Sequence, residues 1–100
     1  MALGEAWMVI RTYGDAATRQ LFEVGGHRQF RSIARVALRK LQQLNAAQSL
    51  EEMASPPGNR LEGLKGDRKG RHSIRINDQW RICFRWQAGD AHEVEIADYH

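Results

Sequence analysis

Between Arg60 and His100, apolar and polar residues alternate in three runs. Ile74 and Ile76 mark the first, Trp80, Ile82, Phe84 and Trp86 the second, and Val94 and Ile96 a third that runs to the last residue. Successive side chains of a strand point to opposite faces, so the runs predict three strands sharing one apolar face. The opposite face then carries Arg71, Ser73 and Arg75, next Arg81, Cys83 and Arg85, and last Glu93, Glu95 and Tyr99. Asn77-Asp78-Gln79 and Ala88-Gly89-Asp90 are turn-forming triplets, which makes the runs two antiparallel hairpins. The first turn sets Arg75 opposite Arg81 and Arg71 opposite Arg85. The second sets Glu93 opposite Arg85 and leaves Arg75 and Arg81 without a counter-charge. Like charges directly opposite one another weaken a sheet. Such a face is either a solvated basic surface or a concave site for phosphates, whose oxygens match the planar donors of arginine.

Upstream the period changes. Met8 to Tyr13 is β-branched and aromatic and predicts a first strand, broken at Gly14. Asp15 is placed to cap a helix through Ala16, Leu21, Phe22 and Val24, which Gly25-Gly26 ends. Phe30, Ile33, Ala37, Leu41 and Leu44 recur every three or four residues and predict a longer helix over Gln29 to Ala47. Its outer face carries Arg28, Arg31, Arg35 and Arg39, a basic stripe that is either a solvated face or a contact for nucleic-acid backbone. Ser49 caps a short third helix with Glu51 and Glu52 in its first turn, and Ser55-Pro56-Pro57-Gly58 stops it. The order is a strand, two helices, a helical turn and a run of strands. That is an α+β fold, with two N-terminal helices on one face of a mainly antiparallel twisted sheet.

Composition narrows the function classes. One hundred residues with 42% apolar content make one domain, expected over residues 8–100, with residues 1–7 as a short extension. A net charge of +3 favours an anionic partner. The single cysteine, Cys83, excludes an internal disulfide and fits a reducing cytosol. Its place mid-strand suits a small packed residue better than a nucleophile. No apolar run is long enough to cross a bilayer, and the N-terminus lacks the basic start of a signal peptide. His27, His72, His92 and His100 show no metal-ligand spacing, and no phosphate-binding loop is present, so neither metal nor cofactor is expected. Asp98, Tyr99 and His100 close the third run. Histidine titrates near neutral pH and suits proton transfer.

Longer motifs are more specific. NRLEGLKGDRKGRHSIRINDQWRICFRW, then EVEIADYH, resembles the HigB toxins of the RelE/ParE superfamily. The front half agrees through MVIRTY, LFEVG, RQFRSIARVALRKLQQLNAA and PPGNRL, so the resemblance covers about Met8 to His100. It implies a RelE-like microbial RNase fold. It also implies a ribosome-dependent endoribonuclease, an mRNA interferase of the small-subunit decoding site, in a bacterial cytoplasm. The toxin is expected as a monomer neutralised by a helix-turn-helix antitoxin of the HigA type, whose dimers build any larger assembly. The implied reaction is metal-independent attack of a ribose 2′-hydroxyl on the adjacent phosphate. Family residues map onto Lys65, Arg81, Asp98, Tyr99 and His100. Arg60, Arg68, Lys69, Arg71 and Arg75, with Arg31, Arg35 and Arg39 on the helix, are expected to contact RNA. Better-known members carry a histidine where Glu62 stands, so Glu62 or His72 is a further catalytic candidate. Glu62 is equally suited to partner Lys65. Strand parity puts Asp98 and His100 on the Val94 side and Tyr99 on the other, so convergence requires a bulge or twist. Two other readings stand beside this one: a ParE-like toxin that binds gyrase, and a ribosome- or RNA-binding relative with weak catalysis.

Overall fold

The computed structural model describes residues 8–64 and 70–99. Two helices, α1 (Ala16–Val24) and α2 (Ala34–Asn45), precede four strands. These are β1 (Glu62–Gly63), β2 (Arg71–Arg75), β3 (Trp80–Gln87) and β4 (Asp90–Asp98), adjacent in that order and antiparallel throughout. One face of the sheet carries Ile74, Ile82, Phe84, Val94 and Ile96. It packs against Leu21, Phe30, Ile33, Ala37, Leu41 and Leu44 from the helical half. The Phe30 ring meets Trp80 edge-on, with centroids 5.7 Å apart.

The first helix forms as its caps predict. Asp15 accepts from the Thr18 amide at 2.7 Å, and Gly25, at φ 96°, donates to the Leu21 carbonyl. The second is shorter than the periodicity predicts. His27 Nδ1 accepts from the Gln29 amide at 3.0 Å, which starts a 3₁₀ turn over Arg28–Phe30. A second tight turn follows, from the Ile33 amide to the Phe30 carbonyl. Both Phe30 and Ile33 are thereby buried, and α2 starts only after Ile33. The predicted third helix is a 3₁₀ turn over Leu50–Met53. Ser49 makes no side-chain capping bond; Glu52 instead reaches back past it and accepts from the Gln48 amide at 3.1 Å.

Both hairpins form, one with a different register. Arg75 faces Arg81 and Arg71 faces Arg85, as predicted. Asn77 Oδ1 accepts from the amides of Gln79 and Trp80, both at 2.8 Å, and closes that turn. The β3–β4 turn has two residues, not three. Ala88 and Gly89 take φ of 54° and 82°, and Asp90 already pairs with Gln87. His92, not Glu93, therefore lies opposite Arg85. Between Cys83 and Arg85 the register shifts, and Glu93 bulges at φ 54°. A bulge puts two residues against one. Ala91 and Val94 both face the core as a result, and Glu93 joins Glu95 on the polar side.

Residues 8–13 lie along the free edge of β4 as an interrupted parallel partner. Ile10 bridges Ala91 and Tyr13 bridges Val94. Where the bulge breaks the ladder, the Glu93 amide donates to Thr12 Oγ1 at 2.8 Å. One residue pair further on, the Ile96 amide donates to Thr18 Oγ1 at 2.9 Å. Side-chain hydroxyls thus satisfy edge amides that a regular strand would have met.

Candidate active site

The sheet face away from the helices holds the arginines. Arg81 is at its centre and is only 9% exposed. Its Nε donates to Ser73 Oγ at 2.8 Å, and Nη2 donates to the Arg60 carbonyl at 2.7 Å. Arg60 presents that carbonyl because it sits in the left-handed region, at φ 44°, after the 3₁₀ turn Pro57–Asn59. Asn59, buried beneath it, anchors the turn by donating to the Met53 carbonyl at 2.9 Å. Glu62 in β1 lies opposite Ser73, and its Oε1 is 3.7 Å from Arg81 Nη2. A short strand with little apolar content thus brings a carboxylate to a pre-positioned guanidinium. Periodicity has no signal for a strand of two residues.

The expectation of uncompensated arginines is corrected by these contacts. Arg75 pairs with Asp78 in its own turn, and Arg71 and Arg85 share Glu93. Arg81 has Glu62 and two oxygens of Ser73. The bulge lets Glu93 reach both Arg71 and Arg85 even though it is not the cross-strand partner of either.

Other sequence candidates divide between the two sides of the sheet. Ala97 pairs with Arg81, and Tyr99, two residues beyond Ala97, follows directly on the end of β4. Gln79 fixes this end of the chain. Its carbonyl accepts from the Tyr99 amide at 2.6 Å, and its Nε2 donates to Asp98 at 3.1 Å. His72 is on the helical side, stacked on Phe84 at 6.1 Å, with Nδ1 buried and without a partner among the described residues. It is not brought to Arg81. Arg31, Arg35 and Arg39 are exposed in the helical layer, on the opposite side of the sheet from Arg71 and Arg75. Lys65, Arg68, Lys69 and His100, like the predicted extension over residues 1–7, lie outside the described residues.

Lys40 is missing from the sequence candidates. It occupies an inward position of α2, three residues after Ala37, and a cation there is its only signal. Its Nζ donates to the Arg75 carbonyl at 2.6 Å. Burial lowers its pKa, and the positive charges of Arg39, Arg75 and Arg81 lower it further. Next to the Arg81 row, a cavity of about 500 Å³ is lined by Tyr13, Gly14, Leu64, Arg71, Cys83, Glu93, Glu95 and Ala97. Burial raises the Tyr13 pKa, as does Glu23, against the opposite pull of Arg19. Cys83 is 3% exposed, a packed residue. Among the described residues, no three histidine, cysteine, aspartate or glutamate side chains gather as metal ligands, and no helix is long and apolar enough to cross a membrane.

The model of a family described as "RelE-like toxin of type II toxin-antitoxin system HigB" matches residues 11–100. The chain belongs to this family. Among its relatives is Toxin HigB-1 of Vibrio cholerae, 48% identical over 60 residues, which are 60% of this chain and 63% of that protein. Endoribonuclease HigB of Proteus vulgaris is 46% identical over 41 residues, 41% of this chain and 45% of that one. The chain thus spans about half to two-thirds of these HigB relatives. Solved toxins share the fold. YafQ from Escherichia coli superposes with a TM-score of 0.59 at 13% identity, over 89% of this chain and 90% of its own. YoeB of the YoeB–YefM complex from Staphylococcus aureus gives 0.55 at 16% identity, over 93% and 97%. The α+β RelE-like fold expected from the sequence is the fold observed.

Proposed function

We propose that this HigB-family chain is an endoribonuclease that cuts mRNA during translation on the ribosome and so arrests growth. The observation that carries the reading is Arg81. It is buried, braced by Ser73 and Arg60, and set 3.7 Å from the Glu62 carboxylate on an open, arginine-rich face. A guanidinium fixed before substrate arrives can stabilise charge developing on a phosphate without reorganising. In the proposed reaction the 2′-hydroxyl oxygen bonds to phosphorus and the bond to the 5′-oxygen breaks. The products are a 2′,3′-cyclic phosphate and a 5′-hydroxyl end. Glu62 takes the 2′-hydroxyl proton, and His100 supplies a proton to the leaving oxygen. Arg81 and Lys65 hold the phosphate, Tyr99 and Asp98 orient the nucleotide, and Arg60, Arg68, Lys69, Arg71 and Arg75 follow the backbone. The proposed partners are the small ribosomal subunit, mRNA and a HigA-type antitoxin, in the bacterial cytoplasm. The YoeB relative solved with YefM supports an antitoxin partner.

The test is purified toxin added to ribosomes programmed with a defined mRNA, and separately to the naked mRNA and to gyrase. Cyclic-phosphate products that require ribosomes are expected. Inhibition of gyrase supercoiling without any RNA cut would replace this reading by the gyrase-binding one.

A further inference from the structure

The cavity beside Arg81 has a chemistry the cleavage step does not use. It lies between β2 and β4, with the small side chains of Cys83 and Ala97 as its floor and Leu64 and Tyr13 on its walls. Two carboxylates enter it. Glu93 is engaged by Arg71 and Arg85. Glu95 pairs with Cys83 through the backbone of the β3–β4 ladder, and its carboxylate makes no hydrogen bond or ion pair with another described side chain. Gly14 lies close to it. A Cβ placed on Gly14 would lie 2.5 Å from Glu95 Oε2 and 3.2 Å from the Glu93 carbonyl. Gly14 thus packs closely against β4, and a side chain there would push the Glu95 carboxylate aside. Glu95 precedes by two residues Ala97, the partner of Arg81. Ala97, across from Arg81, and Cys83, two residues along β3 from it, both line the cavity, so the two sites are adjacent.

We propose that this cavity reads a guanine next to the scissile phosphate, with Glu95 as the specificity-determining residue. The inference rests on the ribonuclease reading. Single-stranded RNA is read through the Watson–Crick edges of splayed bases, held against apolar and aromatic side chains. Guanine presents N1–H and N2–H side by side, which matches both oxygens of one carboxylate in charge-assisted bonds. Adenine and cytosine put a ring acceptor beside the amine, and uracil puts an acceptor on each side of its N–H, so all three set a lone pair against the carboxylate. Arg71, on the β2 wall, carries donors suited to guanine O6 and N7.

The experiment maps cuts made on programmed ribosomes in a transcript library randomised around the cleavage position, with wild type, Glu95→Gln and Gly14→Ala. Wild-type cuts should be enriched for guanine at one fixed position. An amide donates as well as accepts, so Glu95→Gln should lower the preference for guanine over adenine by roughly 5- to 150-fold. Gly14→Ala, which displaces the carboxylate, should lower it too. Cuts without guanine enrichment, or enrichment unchanged in Glu95→Gln, would overturn the pocket assignment and leave the nuclease standing. No cuts by wild type would overturn both. Should Glu95→Gln fail to fold, titration of wild type with guanosine and adenosine 3′-monophosphates decides. The Glu95 and Arg71 NMR signals should move with the first only, and equal or absent shifts would refute the assignment.

Discussion

Arg81 acts through fixity as much as through charge. Its Nε and Nη2 are committed to Ser73 and Arg60, so the guanidinium is held in one orientation at the site. Lysine keeps the charge but cannot make this fork. Arg81→Lys should therefore lower cleavage of ribosome-bound RNA by about 10²–10³-fold. Alanine is a poorer test, because it strands the Ser73 hydroxyl and the Arg60 carbonyl and costs about 1–3 kcal/mol. Glu62→Gln preserves shape and removes the proposed base, so single-turnover cleavage should fall by about 10²–10⁴-fold while ribosome binding persists. Full activity in this variant would release Glu62 from proton transfer. Alternation along β3 was sufficient to put Arg81 on the polar face. Its burial was not legible, because it depends on β1, only two residues long, and on the left-handed turn of Arg60.

The elements differ in how openly the chain declares them. The β2–β3 hairpin is written locally, as alternation on both sides of an Asn-Asp-Gln turn, and its register matched residue for residue. Asn77 accepts two of that turn's amides. Asn77→Ala should lower unfolding stability by about 1–2 kcal/mol in urea titration, with loosened signals at Asp98 and Tyr99, which Gln79 holds. The β3–β4 turn is one residue shorter than its Ala-Gly-Asp triplet predicts, because Ala88 adopts a positive φ that its type does not advertise. The bulge at Glu93 is a response to tertiary demand: Ala91 and Val94 must both reach the core, three residues apart. The late start of α2 has a similar cause in the burial of Phe30 and Ile33. Lys40 ties α2 to β2, and its folded pKa lies below the ordinary 10.5. Between those two values the unfolded chain binds more protons, so stability should rise with pH. Wild type should gain on Lys40→Met as pH climbs from the lowered value towards 10.5, as read from urea midpoints. A constant difference would refute a buried cation at this position.

At the scale of the whole molecule, the sheet separates two surfaces. The helices bury one face, and the other gathers Glu62, Arg71, Arg75, Arg81 and Arg85 beside the proposed base pocket. Fold class and family were legible because the long helical and strand periods, and the motifs from Asn59 to Trp86, survive without tertiary detail. Which arginines share a face was not, since charge along the chain does not say which layer carries it. Arg31, Arg35 and Arg39 ended in the layer opposite the site. On this account the Arg81 face alone cuts RNA, and it does so in translated messages. The most direct measurement is 5′-end mapping of a reporter mRNA after brief induction of wild type or Arg81→Lys, with the start codon of the reporter intact or removed. The account predicts codon-registered cuts for wild type on the translated message only, and their near-complete loss in Arg81→Lys with the protein still folded. The same cuts in Arg81→Lys, or growth arrest by wild type with the message whole, would contradict it.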